Sequence, residues 1–317
     1  MNLYLSCLTQ PAPSANYRGE SEQNRAVIQK ITIGQQEFPV VSPEAIRNAL
    51  REILIEYGLP SNRRREHNED QLAVSFQDYP NPKEFVDDFY FGYMVANQSK
   101  IKDKVPEDFV YKRDSVLRNN LAVGTQPYRY ETLFTQSPKT VVPGGGKDKP
   151  KWSNADSSQL LHREMTYTSY QYPMALNLKD CQIDPANPDD KHNVWFSSLL
   201  QGITELNGVA GNHARSLFDM SPVSVVARVT NRLASGFPLY PFSEDGSAND
   251  VIDLLSQGDQ PGGGFHLGGE IVRNLDEETR AKLEEMGVSL HRTPEALFDT
   301  LSRELCGRSL PCREAVS

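Results

Sequence analysis

Tyr17, Arg18 and Arg25 fall in a stretch that reads S-A-N-Y-R-G-E-S-E-Q-N-R, and Arg47, Asn48 and Arg51 follow in V-S-P-E-A-I-R-N-A-L-R-E. Guanidinium forks match phosphate oxygens, amides such as Asn16 and Asn48 hydrogen-bond phosphate and sugar, and a ring such as Tyr17 stacks on an exposed base. These residue types suit a polyanion with exposed bases. The alternative is the plain solvated face of a helix, because exposed charge is the default for arginine.

A second cluster lies in V-V-P-G-G-G-K-D-K-P-K-W-S-N-A-D-S-S-Q (residues 141–159), with Lys147, Lys149, Lys151 and Trp152 beside three glycines. Such a tip suits an arm reaching for a phosphodiester backbone, or an ordinary loop. It lacks the G-x-x-x-x-G-K-[ST] spacing of a phosphate loop, so nucleotide hydrolysis is not supported. A third group, Asn212, His213 and Arg215 in G-N-H-A-R-S, sits between a helical and a strand-like segment, where loops present function. RNA contact, catalysis or a simple polar turn all fit it. His213 has no HExxH-type partner and no positioned acid, so no catalytic set, metal or cofactor is expected.

The elements that must hold these residues are legible in outline. Ser42 is a good N-cap, Pro43 suits the first helical position, Glu44 meets the positive end of the dipole, and apolar residues recur from Ile46 to Tyr57 before Gly58 and Pro60. Residues 2–9 read as a strand with both faces partly covered, residues 14–25 as a loop, and residues 27–33 with 38–41 as a hairpin about Gly34. Aromatics at 85–93 and the pattern over 111–122 predict a largely helical insertion. Residues 165–178 and 223–230 predict strands; 194–206, 250–255, 277–286 and 294–305 predict helices. The P-G-G-G-F-H-L-G-G-E run (261–270) predicts a tight turn.

At 317 residues the chain can bury a full core. No apolar run is long enough for a membrane span, and the amino terminus lacks the basic leader of a signal peptide. Four cysteines without C-x-x-C spacing predict reduced thiols in a cytoplasm. The net charge of −9 counts against a general nucleic-acid binder. Yet acid gathers at 276–285 whereas Arg18, Arg25, Lys30, Arg47, Arg51 and Arg63–Arg65 crowd the first fifth, so a basic stripe on an acidic body remains open.

Residues 8–25, residues 41–52, G-N-H-A-R-S-L-F-D-M-S-P-V-S-V-V (211–226) and G-G-G-F-H-L-G-G (262–269), in this order, resemble the DevR family of CRISPR-associated autoregulators. Its members form the repeated backbone subunit of type I (I-B-like) CRISPR surveillance complexes, or Cascade. The resemblance implies an α+β fold: an RRM-like, ferredoxin-like palm (1–61 and 167–317), a helical fingers insertion (62–134) and a thumb (135–166). It implies that Arg18, Arg25, Arg47 and Arg51 hold guide phosphates and that residues 147–152 wedge across the guide. The implied partners are guide RNA, target DNA through the guide, further copies of the chain and the capping, large and small Cascade subunits, with no membrane. A nuclease or a transposition apparatus is left open as the downstream partner. No RNP1-type sequence is present, so base stacking on the sheet face is not implied. Two other readings stand beside this one: a repeat-processing endoribonuclease using His213 or His266, and a structural or regulatory protein without RNA.

Overall fold

The computed structural model describes residues 1–15, 17–22, 25–67, 72–137, 159–209 and 218–311. The chain opens with β1 (Asn2–Thr9), β2 (Ala12–Ser14), β3 (Tyr17–Glu22) and β4 (Arg25–Ile28). The hairpin β5 (Lys30–Ile33) and β6 (Gln36–Val41) leads into α1 (Pro43–Glu56). Next come β7 (Arg63–His67), β8 (Leu72–Phe76), α2 (Val86–Phe91), β9 (Tyr93–Met94), β10 (Lys112–Arg113), β11 (Leu117–Asn119), β12 (Ala122–Gly124), β13 (Glu131–Ser137), β14 (Gln159–Thr168) and β15 (Tyr170–Asn177). The remainder holds α3 (Lys191–Thr204), β16 (Pro222–Thr230), α4 (Asn249–Ser256), β17 (Phe265–Gly269), α5 (Glu270–Arg273), α6 (Glu277–Glu285), β18 (Ser289–His291) and α7 (Pro294–Cys306).

Among the described residues the main sheet has nine strands, running β18-β17-β16-β1-β15-β12-β6-β5 with β11 also on β15. β1 lies antiparallel between β15 and β16. Its alternation places Leu3, Leu5 and Cys7 in a core shared with α1, α3 and α7. Leu8 joins a second core on the opposite face, with Val226, Phe237, Phe242, Val251, Phe265 and Leu267. Each such fully buried side chain contributes about 1.5–3 kcal/mol. The expected two-faced burial of β1 is what the structure has.

α1 forms as the spacing predicts. Ser42 Oγ accepts from the Ala45 amide at 3.2 Å, Pro43 opens the first turn, and Ile46, Leu50, Ile53 and Leu54 are buried.

A strap, residues 231–243, crosses the sheet face opposite α1. Tyr4 Oη donates to the Leu233 carbonyl at 2.6 Å, Ser6 Oγ to Leu239 at 2.8 Å, and the Gln171 side chain pairs with both backbone groups of Phe242 at 3.0 Å. Tyr240 Oη reaches across to the Leu121 carbonyl at 2.9 Å.

Three expectations are corrected. The insertion is not largely helical: within 62–134 the described residues hold α2, one turn of 3-10 helix (Gln98–Lys100) and otherwise strands and turns. The aromatic run stops after six helical residues because Gly92 takes a φ of +64° and its Cα packs against the backbone of Asp114 and Ser115, where a Cβ has no room. The 111–122 pattern fails for a different reason. β11 and β12 pair with β15, so tertiary pairing overrides local periodicity and returns the chain to the main sheet before residue 134. Residues 14–25 are largely strands rather than a loop, and residues 165–178 are two strands broken at Ser169.

Candidate nucleic-acid interface

The first basic cluster and the strand that follows the glycine–lysine segment in sequence meet in one sheet. Its strand order is β13-β14-β4-β3, with β2 also on β14. β14, the first described element after residues 138–158, pairs antiparallel with β2 through Thr166–Ser14 and parallel with β4 through His162–Arg25 and Arg163–Ala26. β3 pairs with β4 through Tyr17–Ile28 and Glu22–Arg25, with a shift of register between them. The backbones of Tyr17, Arg18 and Arg25 are therefore strand backbones. Asn16 lies outside the described residues, as do Lys147, Lys149, Lys151, Trp152, Asn212, His213 and Arg215.

Where this sheet joins the main one, Glu164 is buried on β14 and accepts from the Ile28 amide at 3.2 Å. Lys30 Nζ stands 3.7 Å from Glu164 Oε2, 3.5 Å from Glu37 Oε2 and 4.1 Å above the Tyr128 ring. A desolvated carboxylate is tolerated only with a counter-charge and hydrogen bonds, and Lys30 with the Ile28 amide supplies both. Glu164 and its partner Lys30 carry the joint, yet in sequence they are two unremarkable charges with no spacing signal.

Along α1 the three predicted residues part company. Arg47 Nε donates to Asn119 Oδ1 at 2.8 Å, and Asn119 Nδ2 donates to the Pro43 carbonyl at 3.1 Å, so β11 holds the first turn of the helix. Glu44 approaches Arg47 at 3.9 Å, and about a quarter of the Arg47 side chain is open to solvent. Asn48 is exposed. Arg51 is only 7% exposed. Its Nη1 donates to Asn48 Oδ1 at 2.6 Å, its Nε lies 3.4 Å from Asp87 Oδ2, and its guanidinium sits 5.2 Å from the Phe91 ring centre. Burial, and the charge of Arg63 after it, lower the Arg51 guanidinium from its ordinary range, but an arginine stays charged at neutral pH. Arg51 thus faces inward, because four residues past Arg47 the helix surface meets α2.

Asp87 is fixed in turn. Its oxygens accept from the Asn62 amide at 2.8 Å and the Arg63 amide at 3.0 Å. Neighbouring Asp88 takes the Asn62 side chain and the Asn81 amide, both at 2.9 Å.

His266 is buried on β17. Its Nε2 lies 3.7 Å from Glu304 Oε2 and its ring stacks on His291 at 5.8 Å. Burial pulls it down to about 4, so it is neutral at pH 7 and closed to solvent. The glycine-rich run is not a tight turn throughout: Phe265–Gly269 is β17, at whose end Gly269 has a φ of +90° and its Cα packs on the Val223 carbonyl, a place no side chain fits. Cys7, Cys181 and Cys306 are buried free thiols. Among the described residues no group of three or more His, Cys, Asp or Glu could hold a metal ion, and no helix is long and apolar enough to cross a membrane.

No family model matches the chain. Two solved chains share its fold: one titled "CRISPR RNA-guided surveillance complex" (TM-score 0.60, 14% identical, covering 96% of this chain and 99% of that one), and one titled "CRISPR RNA-guided surveillance complex, pre-nicking" (TM-score 0.61, 13% identical, 96% and 100%). The "CRISPR-associated protein Cas7/Cst2/DevR" of Myxococcus xanthus (strain DK1622) is 31% identical over 302 residues, 92% of this chain and 93% of that protein. With an α+β architecture, a large mixed sheet and likeness along nearly its whole length, the chain belongs to the Cas7/Cst2/DevR family of CRISPR-associated proteins.

Proposed function

We propose that this chain is the guide-RNA-binding backbone subunit of a type I CRISPR surveillance complex, without catalytic activity of its own. One observation carries most weight: β14 comes out of the glycine–lysine arm and pairs with β2 and β4, so the arm's root and the strand bearing Arg25 are neighbours in one sheet. Arg18, Arg25 and Arg47 hold guide phosphates without regard to sequence, with Asn48 beside them, and Lys147, Lys149, Lys151 and Trp152 cross the guide. Asn16, Tyr17, Asn212, His213 and Arg215 join them in contacting the guide. Arg51 is a support inside the helix. The palm is RRM-like: the run β16-β1-β15-β12, with α1 and α3 in the core on one face, supports that reading. Fingers rise after α1 and a thumb spans residues 135–166. Copies stack head to tail along the RNA, in an open assembly that needs no closure. Weak sites on one strand add up by multivalency, and the bound guide pairs with target DNA.

A repeat-cleaving nuclease using His266 is disfavoured by that ring's burial and by Glu304 and His291 packed on it. The test is co-expression of the chain with a repeat-spacer array. RNA should co-purify intact, and an Arg18→Ala, Arg25→Ala, Arg47→Ala variant should lose most of it. Full retention by the variant, or shortening of the RNA by the purified chain, would reject the proposal.

A further inference from the structure

Asn48 is exposed on α1, one residue past Arg47, and its side-chain orientation is fixed from inside. Arginine has only donors, so the 2.6 Å contact from Arg51 Nη1 requires the Asn48 oxygen to face inward. The amide nitrogen, with two N–H donors, is what remains for the outside. Arg51 is itself held by Asp87 at 3.4 Å and by the Phe91 ring, and Asp87 is anchored by two backbone amides of the insertion. A chain of contacts thus runs from the insertion's root through a buried cation to a surface amide.

We infer that Arg51 is a positioning residue which, braced by Asp87, turns Asn48 into a fixed donor for a phosphate oxygen of single-stranded RNA. The inference rests on the guide-binding reading of α1. A free asparagine presents either its oxygen or its nitrogen, and the oxygen repels phosphate. Locking the oxygen inward removes the wrong orientation before RNA arrives, and pre-organisation of this kind improves affinity without adding a contact.

The test measures binding of fluorescent polyuridylate RNA to the full chain. Asn48→Ala should weaken binding about tenfold, the worth of one hydrogen bond to a charged acceptor. Arg51→Met should weaken it similarly, and the double variant should be no worse than the poorer single one, because both remove the same contact. Asn48→Asp separates positioning from folding. Its carboxylate keeps Arg51 and the melting temperature, yet points an anion outward and should bind at least as poorly as Asn48→Ala. That arm stands even if Arg51→Met does not fold. Additive losses, or tight binding by Asn48→Asp, would overturn the inference. If Arg18→Ala with Arg47→Ala weakens binding while the Asn48 variants do not, only the positioning role fails; if none weakens binding, the guide-binding reading fails with it.

Discussion

Lys30 Nζ lies 3.7 Å from the buried carboxylate of Glu164, at the seam between the main sheet and the sheet of β13, β14, β4 and β3. Lys30→Met leaves Glu164 with the Ile28 amide but without this cation. The expected cost is about 1–3 kcal/mol, below that of a fully buried pair because Lys30 is partly solvated. Hydrogen exchange should show the loss concentrated in β14 and β4, with β1 and β16 unchanged. Uniform loss across both sheets would refute a local seam.

Asp87→Ala removes the brace of a buried guanidinium and the acceptor for two backbone amides. A drop of about 3–5 kcal/mol in chemical denaturation is expected. Asp87→Asn should cost less, because one side-chain oxygen still accepts a backbone amide; equal losses would mean that the carboxylate's charge, and not its hydrogen bonding, carries the effect.

Acid should weaken the fold through His266. Its ring is lowered to about 4 from an ordinary 6.5, so the unfolded chain takes up a proton in that window which the folded chain refuses. Stability therefore rises with pH across the window and falls as pH drops through it, by about 3 kcal/mol when the lower end is reached. Burial and the neighbouring His266 lower His291 as well, which adds to the same slope. His266→Gln should flatten the dependence of the melting temperature between pH 6.5 and 4. An unchanged slope would exonerate this ring.

If Arg18 and Arg47 hold phosphates as proposed, removing both should show in salt dependence. For Arg18→Ala with Arg47→Ala, the slope of log affinity against log salt for single-stranded RNA should shrink by about 1.4. A weaker affinity with the original slope would mean that these arginines act on the fold and not on phosphates.

Gly269→Ala should lose at least about 2 kcal/mol, because the positive φ is strained for alanine and the new Cβ runs into the Val223 carbonyl. A melting curve checks it, and near-neutrality would mean that β16 and β17 shift apart easily.

Local signals made part of this legible. α1 announces itself through Ser42, Pro43 and its apolar spacing, β1 through alternation, and the terminal helix through its stripe of leucines. Long-range pairings did not. Residues 14–25 carry the polar composition of a loop, yet β3 pairs with the adjacent β4, and β14, far later in the chain, pairs with β2 and β4 on either side of it. Arg51 has the same local context as Arg47, and only Asp87 and Phe91, brought up by the insertion, distinguish a buried support from an open contact. The aromatic run promised a longer helix because periodicity cannot register that Gly92 must turn against a neighbouring backbone.

The strap over the main sheet has a further consequence. With Tyr4, Ser6 and Gln171 all bonded to chain that roofs them, that surface offers no platform on which a nucleotide ring could lie flat. On the proposed function, a strand gripped along the neighbouring sheet and α1 would not be read there letter by letter, and its pairing edges would stay at the disposal of a complementary strand.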